Sequence, residues 1–209
     1  MSYKPIPLSQ NTPDIVKKFI HNNVDILFND VHCMLRLPIK EIGLEGTMAF
    51  SAINCLSDIV SGISALLTPD FDTIGDSGPK FKEILKDYYP WDLQPPIGGS
   101  IDRAVKDMYD YFRNPLTHSL GLKTKGNYLV AIEKKEISEL DLETLEKNIF
   151  SPGPAISYSP ITIKNENIEK ITLDVAPFYW GVRQILVRLS ANSTQMQDTA
   201  KNLLSHGYQ

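Results

Sequence analysis

Residues 49 to 67 read Ala-Phe-Ser-Ala-Ile-Asn-Cys-Leu-Ser-Asp-Ile-Val-Ser-Gly-Ile-Ser-Ala-Leu-Leu. Ala49, Ala52, Ile53, Leu56, Ile59, Val60, Ile63, Leu66 and Leu67 recur three and four positions apart, the spacing of one helix face. A second line, Ser51, Cys55, Ser61, Gly62 and Ala65, is small. Small side chains let another helix approach closely, either inside one bundle or from a second copy of the chain. Between Gly46 and Leu67 the polar residues Thr47, Ser51, Asn54, Ser57, Asp58, Ser61 and Ser64 interrupt the apolar ones. The stretch therefore reads as a buried helix, and no apolar run approaches the roughly 18 residues of a bilayer span.

Helical signals continue on both sides. Upstream, Thr12 is placed to cap a helix, Pro13 suits its first position and Asp14 suits the positive end of its dipole. Val16, Phe19, Ile20, Val24, Leu27, Phe28 and Val31 then recur at helical spacing, until Leu37-Pro38. Downstream, Thr68 to Gly78 reads as a loop, Pro79 to Tyr89 as a short helix, and Pro90 to Gly99 as another loop. Ser100 caps a further helix with Ile101, Val105, Met108, Tyr109 and Phe112 facing inward. After Gly121 the pattern changes. Asn127 to Glu133, Ile161 to Ile163 and Lys170 to Leu173 read as strands, Leu140 to Ile149 as a short acidic helix, and Ser151 to Pro160 as a turn or linker. Pro177 opens a strong helix, and a polar one follows toward Gln209. The expected fold is mainly α: an up-and-down bundle of four to five helices with a small β insertion and C-terminal helices. Residues 1–122 form the bundle, 123–174 the β-containing part, and 175–209 the helices that pack back on it.

The composition is that of an ordinary folded chain: 209 residues, 42% hydrophobic, net charge −4. Mild acidity does not advertise nucleic-acid binding, but a local cationic patch is enough for an enzyme. The N-terminal residues lack the apolar core of a signal peptide, so a cytoplasmic protein without membrane contact is expected. Cys33 and Cys55 lie among apolar residues and read as reduced core thiols. His21, His32 and His206 have no carboxylate or cysteine partner at ligand spacing. Asp70, Asp72 and Asp76 do not match a calcium loop. Gly98-Gly99-Ser100 reads as a flexible loop or an anion site at a helix start, and Tyr179-Trp180 as core packing or a base-stacking pair.

Chemistry concentrates at Tyr111-Phe-Arg-Asn-Pro-Leu-Thr-His118. Arg113 is a permanently charged fork suited to a phosphate, and His118 moves protons near neutral pH. On a continuous helix five positions are about 140° apart round the axis. Pro115 disfavours helix at Asn114, which is itself a good cap. A break there is expected, aiming both side chains at one spot. Arg113 reads otherwise as a helix-end cation beside Asp110 or Tyr109, and His118 as a turn cap.

Phe112-Arg113-Asn114-Pro115-Leu116-Thr117-His118-Ser119, preceded by its amphipathic helix, resembles the Arg-polar-x-x-x-His motif of the HEPN superfamily. The resemblance covers roughly residues 12–122. It implies a metal-independent endoribonuclease of toxin or defence type, without cofactor, acting as a homodimer whose two motifs share one cleft. Arg113 would neutralise the scissile phosphate, His118 would transfer protons as the 2′-hydroxyl attacks, and Asn114 would orient the site. The products would be a 2′,3′-cyclic phosphate and a 5′-hydroxyl. Lys123 and Lys125 form a modest basic extension toward the RNA backbone or are plain surface lysines. An antitoxin or regulatory protein is an implied partner. The family also implies an alternative, a non-catalytic module that binds RNA, nucleotide or a partner protein.

Overall fold

The computed structural model describes residues 3–38, 40–41, 44–45, 48–68, 77–119, 128–135, 137–163 and 165–208. Helix α1 (Asp14–Phe19) passes through a π turn at Ile20–Val24 into α2 (Asp25–Arg36). Pro13, not Thr12, occupies the position before the first turn, and no side chain caps it. Thr12 is buried instead, and its hydroxyl donates to the Ser190 carbonyl at 3.5 Å. A tertiary partner has outcompeted the local cap. Strands β1 (Lys40–Glu41) and β2 (Leu44–Glu45) pair antiparallel.

The apolar stripe forms α3 (Ala49–Leu66), with Ala52, Ile53, Leu56 and Val60 fully buried. Contrary to the expectation that no apolar run approaches a bilayer span, this helix is by length and mean hydropathy (18 residues, 1.4) apolar enough to cross one, with 56% of it buried within the protein. Helix α4 (Ser77–Tyr88) and a turn of 3-10 helix at Trp91–Leu93 follow. Then come α5 (Ile101–Asp107), a π turn at Met108–Arg113, and α6 (Asn114–Ser119).

Strand β3 (Tyr128–Glu133), helix α7 (Glu139–Lys147), strands β4 (Ile156–Ile163) and β5 (Glu166–Asp174) make up the β-containing part. The sheet order is β3-β5-β4. β3 runs parallel to β5, with Val130 opposite Ile171, and β4 runs antiparallel to β5, with Ile156 opposite Leu173. Asn165 takes a left-handed conformation (φ 65°) at the β4–β5 turn, which asparagine tolerates well. Residues 156–160, expected in a linker, are strand, and Pro160 sits inside it opposite Glu169. Proline cannot donate to a ladder, but β4 is an edge strand and its outer side needs no partner.

Strand β5 runs directly into α8 (Val175–Ala191), whose first turn is capped by Asp174, and α9 (Ser193–Ser205) ends the described fold. Helix α8 is buried on nearly every side, the mark of a helix at the centre of a domain. It packs against α2, α3, α4, α9 and β5. The architecture is a helical bundle with a small sheet, its C-terminal helices packed back into the same apolar core.

The two thiols differ from the expectation. Cys33 is exposed, while Cys55 is half-buried and donates to the Leu27 carbonyl at 3.7 Å. Burial, with Asp58 and Asp30 nearby, pushes the Cys55 thiol up to about 11. Because only the thiolate reacts, a thiol reagent at pH 8 is expected to label Cys33 rapidly and Cys55 slowly, one fast equivalent by absorbance. Two equal fast phases would contradict this assignment.

Candidate active site on the Ile101–Ser119 helical run

Ser100 starts the run as expected: its hydroxyl accepts from the Arg103 amide at 3.2 Å. Ala104, Val105, Met108 and Phe112 are buried and fix the run's rotation against the core. The opposite side is tied to the sheet. The Asp107 carboxylate accepts from the Tyr158 hydroxyl at 3.1 Å and from Arg103 Nε at 3.3 Å. Arg103 stacks over the Tyr158 ring at 4.0 Å and bonds to Glu169 of β5. Burial raises the Asp107 carboxyl above its ordinary value, against the pull of Tyr158 and Arg103.

Pro115 does not break the helix. Asn114 is helical (φ −65°, ψ −47°), and its amide bonds back five residues to the Tyr109 carbonyl. A proline in an α-helix loses one bond and crowds the carbonyl four residues back. The π turn widens the backbone immediately before Pro115, where that crowding falls, and lets helix continue on both sides. Positions 113 and 118 thus lie along one helical run, and no bend aims them together. Arg113 and Asn114 sit at its junction, and His118 is in α6. The side chain of His118 lies outside the described residues, as do Lys123, Lys125 and the Asp70–Asp76 loop.

Arg113 is 9% exposed. Its guanidinium lies 5.5 Å from the centre of the Tyr109 ring, four residues earlier. The same ring receives Lys82 Nζ at 4.4 Å and packs on Phe81. Gly78 makes this approach possible, since a Cβ there would meet the Tyr109 hydroxyl at 2.5 Å. The second neighbour of Arg113 is Asp58. Burial raises the Asp58 carboxyl above its ordinary value, and the Arg113 charge pulls it back down. Asn54, one turn earlier on α3, donates to Asp58 at 3.5 Å. Its carbonyl oxygen is buried and has no hydrogen-bond partner among the described residues. The arrangement is a recessed cation with the carboxylate of exposed Asp58 in its field and, bonded to that carboxylate, the Asn54 amide. Of the two helix-end partners read from the sequence, Tyr109 is in place, whereas Asp110 pairs with Lys106 at 2.9 Å. Asp58 and Asn54 were not among the candidates. The available signal was that Asp58 is the one ionisable carboxylate in an otherwise apolar helix, a position that calls for a cation.

A second polar constellation was also missed. His32 Nδ1 lies 2.9 Å from Glu146, which accepts from the Tyr179 hydroxyl at 2.6 Å. Arg183, also buried, donates to the Tyr3 hydroxyl at 3.0 Å and to the Lys4 carbonyl at 3.1 Å. Its guanidinium lies between the Tyr3, Phe28 and Tyr179 rings, at 5.2 to 5.8 Å from each centre. Tyr3 in turn donates to Asp25 at 2.6 Å. The network staples the segment Tyr3–Ile6 to α2 and α8 and is filled by its own side chains. Tyr179 and Trp180 belong to the core, Trp180 donating to the Asn148 carbonyl at 2.9 Å.

No family model matches the chain, and no curated protein or solved structure matches it.

Proposed function

We propose that the chain is a metal-independent endoribonuclease resembling the HEPN superfamily, working as a homodimer. The observation that carries this reading is the π turn that ends at Arg113, a distortion that recurs at functional sites, with Asn114 and His118 following in α6. Because positions 113 and 118 lie on different sides of the run, Arg113 of one copy and His118 of the other act together. Arg113 is the phosphate ligand, Asn114 orients it, and His118 transfers the proton during attack by the 2′-hydroxyl. This reaction needs charge stabilisation and acid–base help, which these residue types supply. One chain carries one motif histidine, whereas the reaction uses an acid and a base, so a second copy completes the site. In support, two members of the small-residue line on α3 stay open, while Cys55 is taken up against α2. Ser51 and Gly62 are exposed, and a Cβ at Gly62 would meet nothing within 4 Å. Ile26 and Leu27 on α2 are exposed, and Cys55 reaches the Leu27 carbonyl. An antitoxin or other regulatory protein is the further partner that this reading implies.

The burial of Arg113 beside Asp58 favours a second reading. In it Arg113 is a structural cation, and the chain is a non-catalytic module that binds RNA or a partner protein.

Incubating the chain with RNA in EDTA separates the two. The nuclease reading expects cleavage with 2′,3′-cyclic phosphate ends. That activity should fall by about 100-fold or more in Arg113→Lys and His118→Ala, with folding kept. RNA bound but left intact, with Arg113→Ala losing thermal stability, leaves the structural reading.

A further inference from the structure

A cavity of about 330 Å³ opens where β3 and β5 end side by side and α8 begins. Its size is within the range of small-molecule sites. Ile137, Leu145 and Pro177 give it apolar walls, and Lys135, Asp141 and Asp174 its charge. The carboxyl ends of neighbouring parallel strands are a common place for ligands in α/β folds. Nothing in the proposed ribonuclease reading uses this cavity.

Asp174 sets its chemistry. The side chain is only 14% exposed. One oxygen accepts from the Ala176 amide at 3.2 Å, capping α8. The other faces Lys135 Nζ at 3.2 Å. Lys135 reaches in from outside, with 72% of its side chain exposed. A recessed carboxylate is therefore satisfied by a lysine that remains largely in water, an ion pair that exchanges readily. Burial holds the Asp174 carboxyl above its ordinary value, against Lys135 and the Ala176 amide, so the carboxylate gains from a better cation. An anion is disfavoured. The cavity carries two carboxylates against one lysine, Asp174 already occupies the helix start, and Pro177 has no amide to offer. A guanidinium needs two carboxylate oxygens for its fork, and one of these is committed to the cap. A compact ammonium needs only the other.

We propose that this cavity binds a primary ammonium group on a short aliphatic chain, seated on Asp174 in place of Lys135. The alkyl chain lies along Ile137, Leu145 and Pro177, and Asp141 adds negative charge at the same cavity. Lys135 is an internal competitor for the site.

The test titrates n-pentylamine and Nα-acetyl-lysine methylamide into the full chain by calorimetry, with pentanoate and 1-pentanol as references. The amines are expected to bind saturably. Asp174→Asn keeps a capping side chain and should weaken them by about tenfold or more. Lys135→Ala should tighten them. Binding of pentylamine alone identifies a free small amine as the ligand, and binding of both extends the site to lysine side chains of a peptide. Pentanoate or pentanol binding as well as the amines would overturn the proposal. So would weaker amine binding in Lys135→Ala, or no amine binding by either the wild type or that variant. If Asp174→Asn melts early by circular dichroism, the sign of the Lys135→Ala effect decides alone.

Discussion

Gly181→Ala is expected to be among the most damaging single substitutions in the chain, lowering stability by about 3 kcal/mol. Gly181 lies in the middle of α8, and a Cβ there would come within 2.2 Å of the Tyr89 ring and hydroxyl. Real Cβ contacts are never so short, so ring or helix must move. Tyr89 has little room, being 1% exposed, with the Trp91 ring 4.5 Å away, Phe178 at 6.3 Å, and its hydroxyl 3.3 Å from the Pro177 carbonyl. The helix has little room either, because α8 is buried on nearly every side. Alanine's better helix propensity, worth about 1 kcal/mol, does not offset the clash. For a chain of this length the melting temperature should fall by roughly 10 °C. Adding Tyr89→Leu removes the ring, so the double variant should be less destabilised than the two single effects added together. A Gly181→Ala protein that melts like the wild type would show that α8 and Tyr89 are not in this register.

Arg183→Ala, two residues on and facing the other way, is expected to cost about 3–5 kcal/mol. Its guanidinium is the cation of a buried network that includes the Glu146 carboxylate. Removing it takes a positive charge from the surroundings of Glu146, which keeps His32 at 2.9 Å, and breaking a buried polar network on one side is costly. Three aromatic rings lose their cation as well. The Tyr3 hydroxyl and Lys4 carbonyl lose their donor, so the segment Tyr3–Ile6 should come loose. Urea unfolding measures the first effect, and chymotryptic cleavage after Tyr3 under native conditions measures the second. Arg183→Lys retains the charge but cannot reach two acceptors with a planar fork, and should fall between. Unchanged urea stability in Arg183→Ala would mean that the network is not an energetic unit.

These two sites show where the sequence was legible. The helices of the bundle announce themselves by apolar spacing, and the stripe from Ala49 to Leu67 maps onto α3 almost residue for residue. Ser100 is a cap in sequence and in structure. The Arg183 network was illegible because its members are far apart: His32 and Glu146 are separated by 114 positions, Tyr3 and Arg183 by 180. No local window holds them both. The prolines misled for a different reason. Pro115 and Pro160 each carry a strong local meaning, break and linker, which a π turn and a sheet edge respectively remove. The motif residues themselves were legible in position only. That Arg113 would be recessed against Tyr109 and in the field of Asp58 depends on how α3 packs against the run.

The staple between Tyr3–Ile6 and α8 also sets an order of events during synthesis. Chains grow from the N-terminal side, so the earlier-made segment has no partner until Arg183, 180 residues later, has left the ribosome. The same delay applies to α3, whose apolar face packs against α8. Early-made helices therefore wait with apolar surface uncovered, and the core closes late and at once. A nascent chain halted before residue 183 should be captured by chaperones and cut readily by protease, and one extended past α9 should resist both.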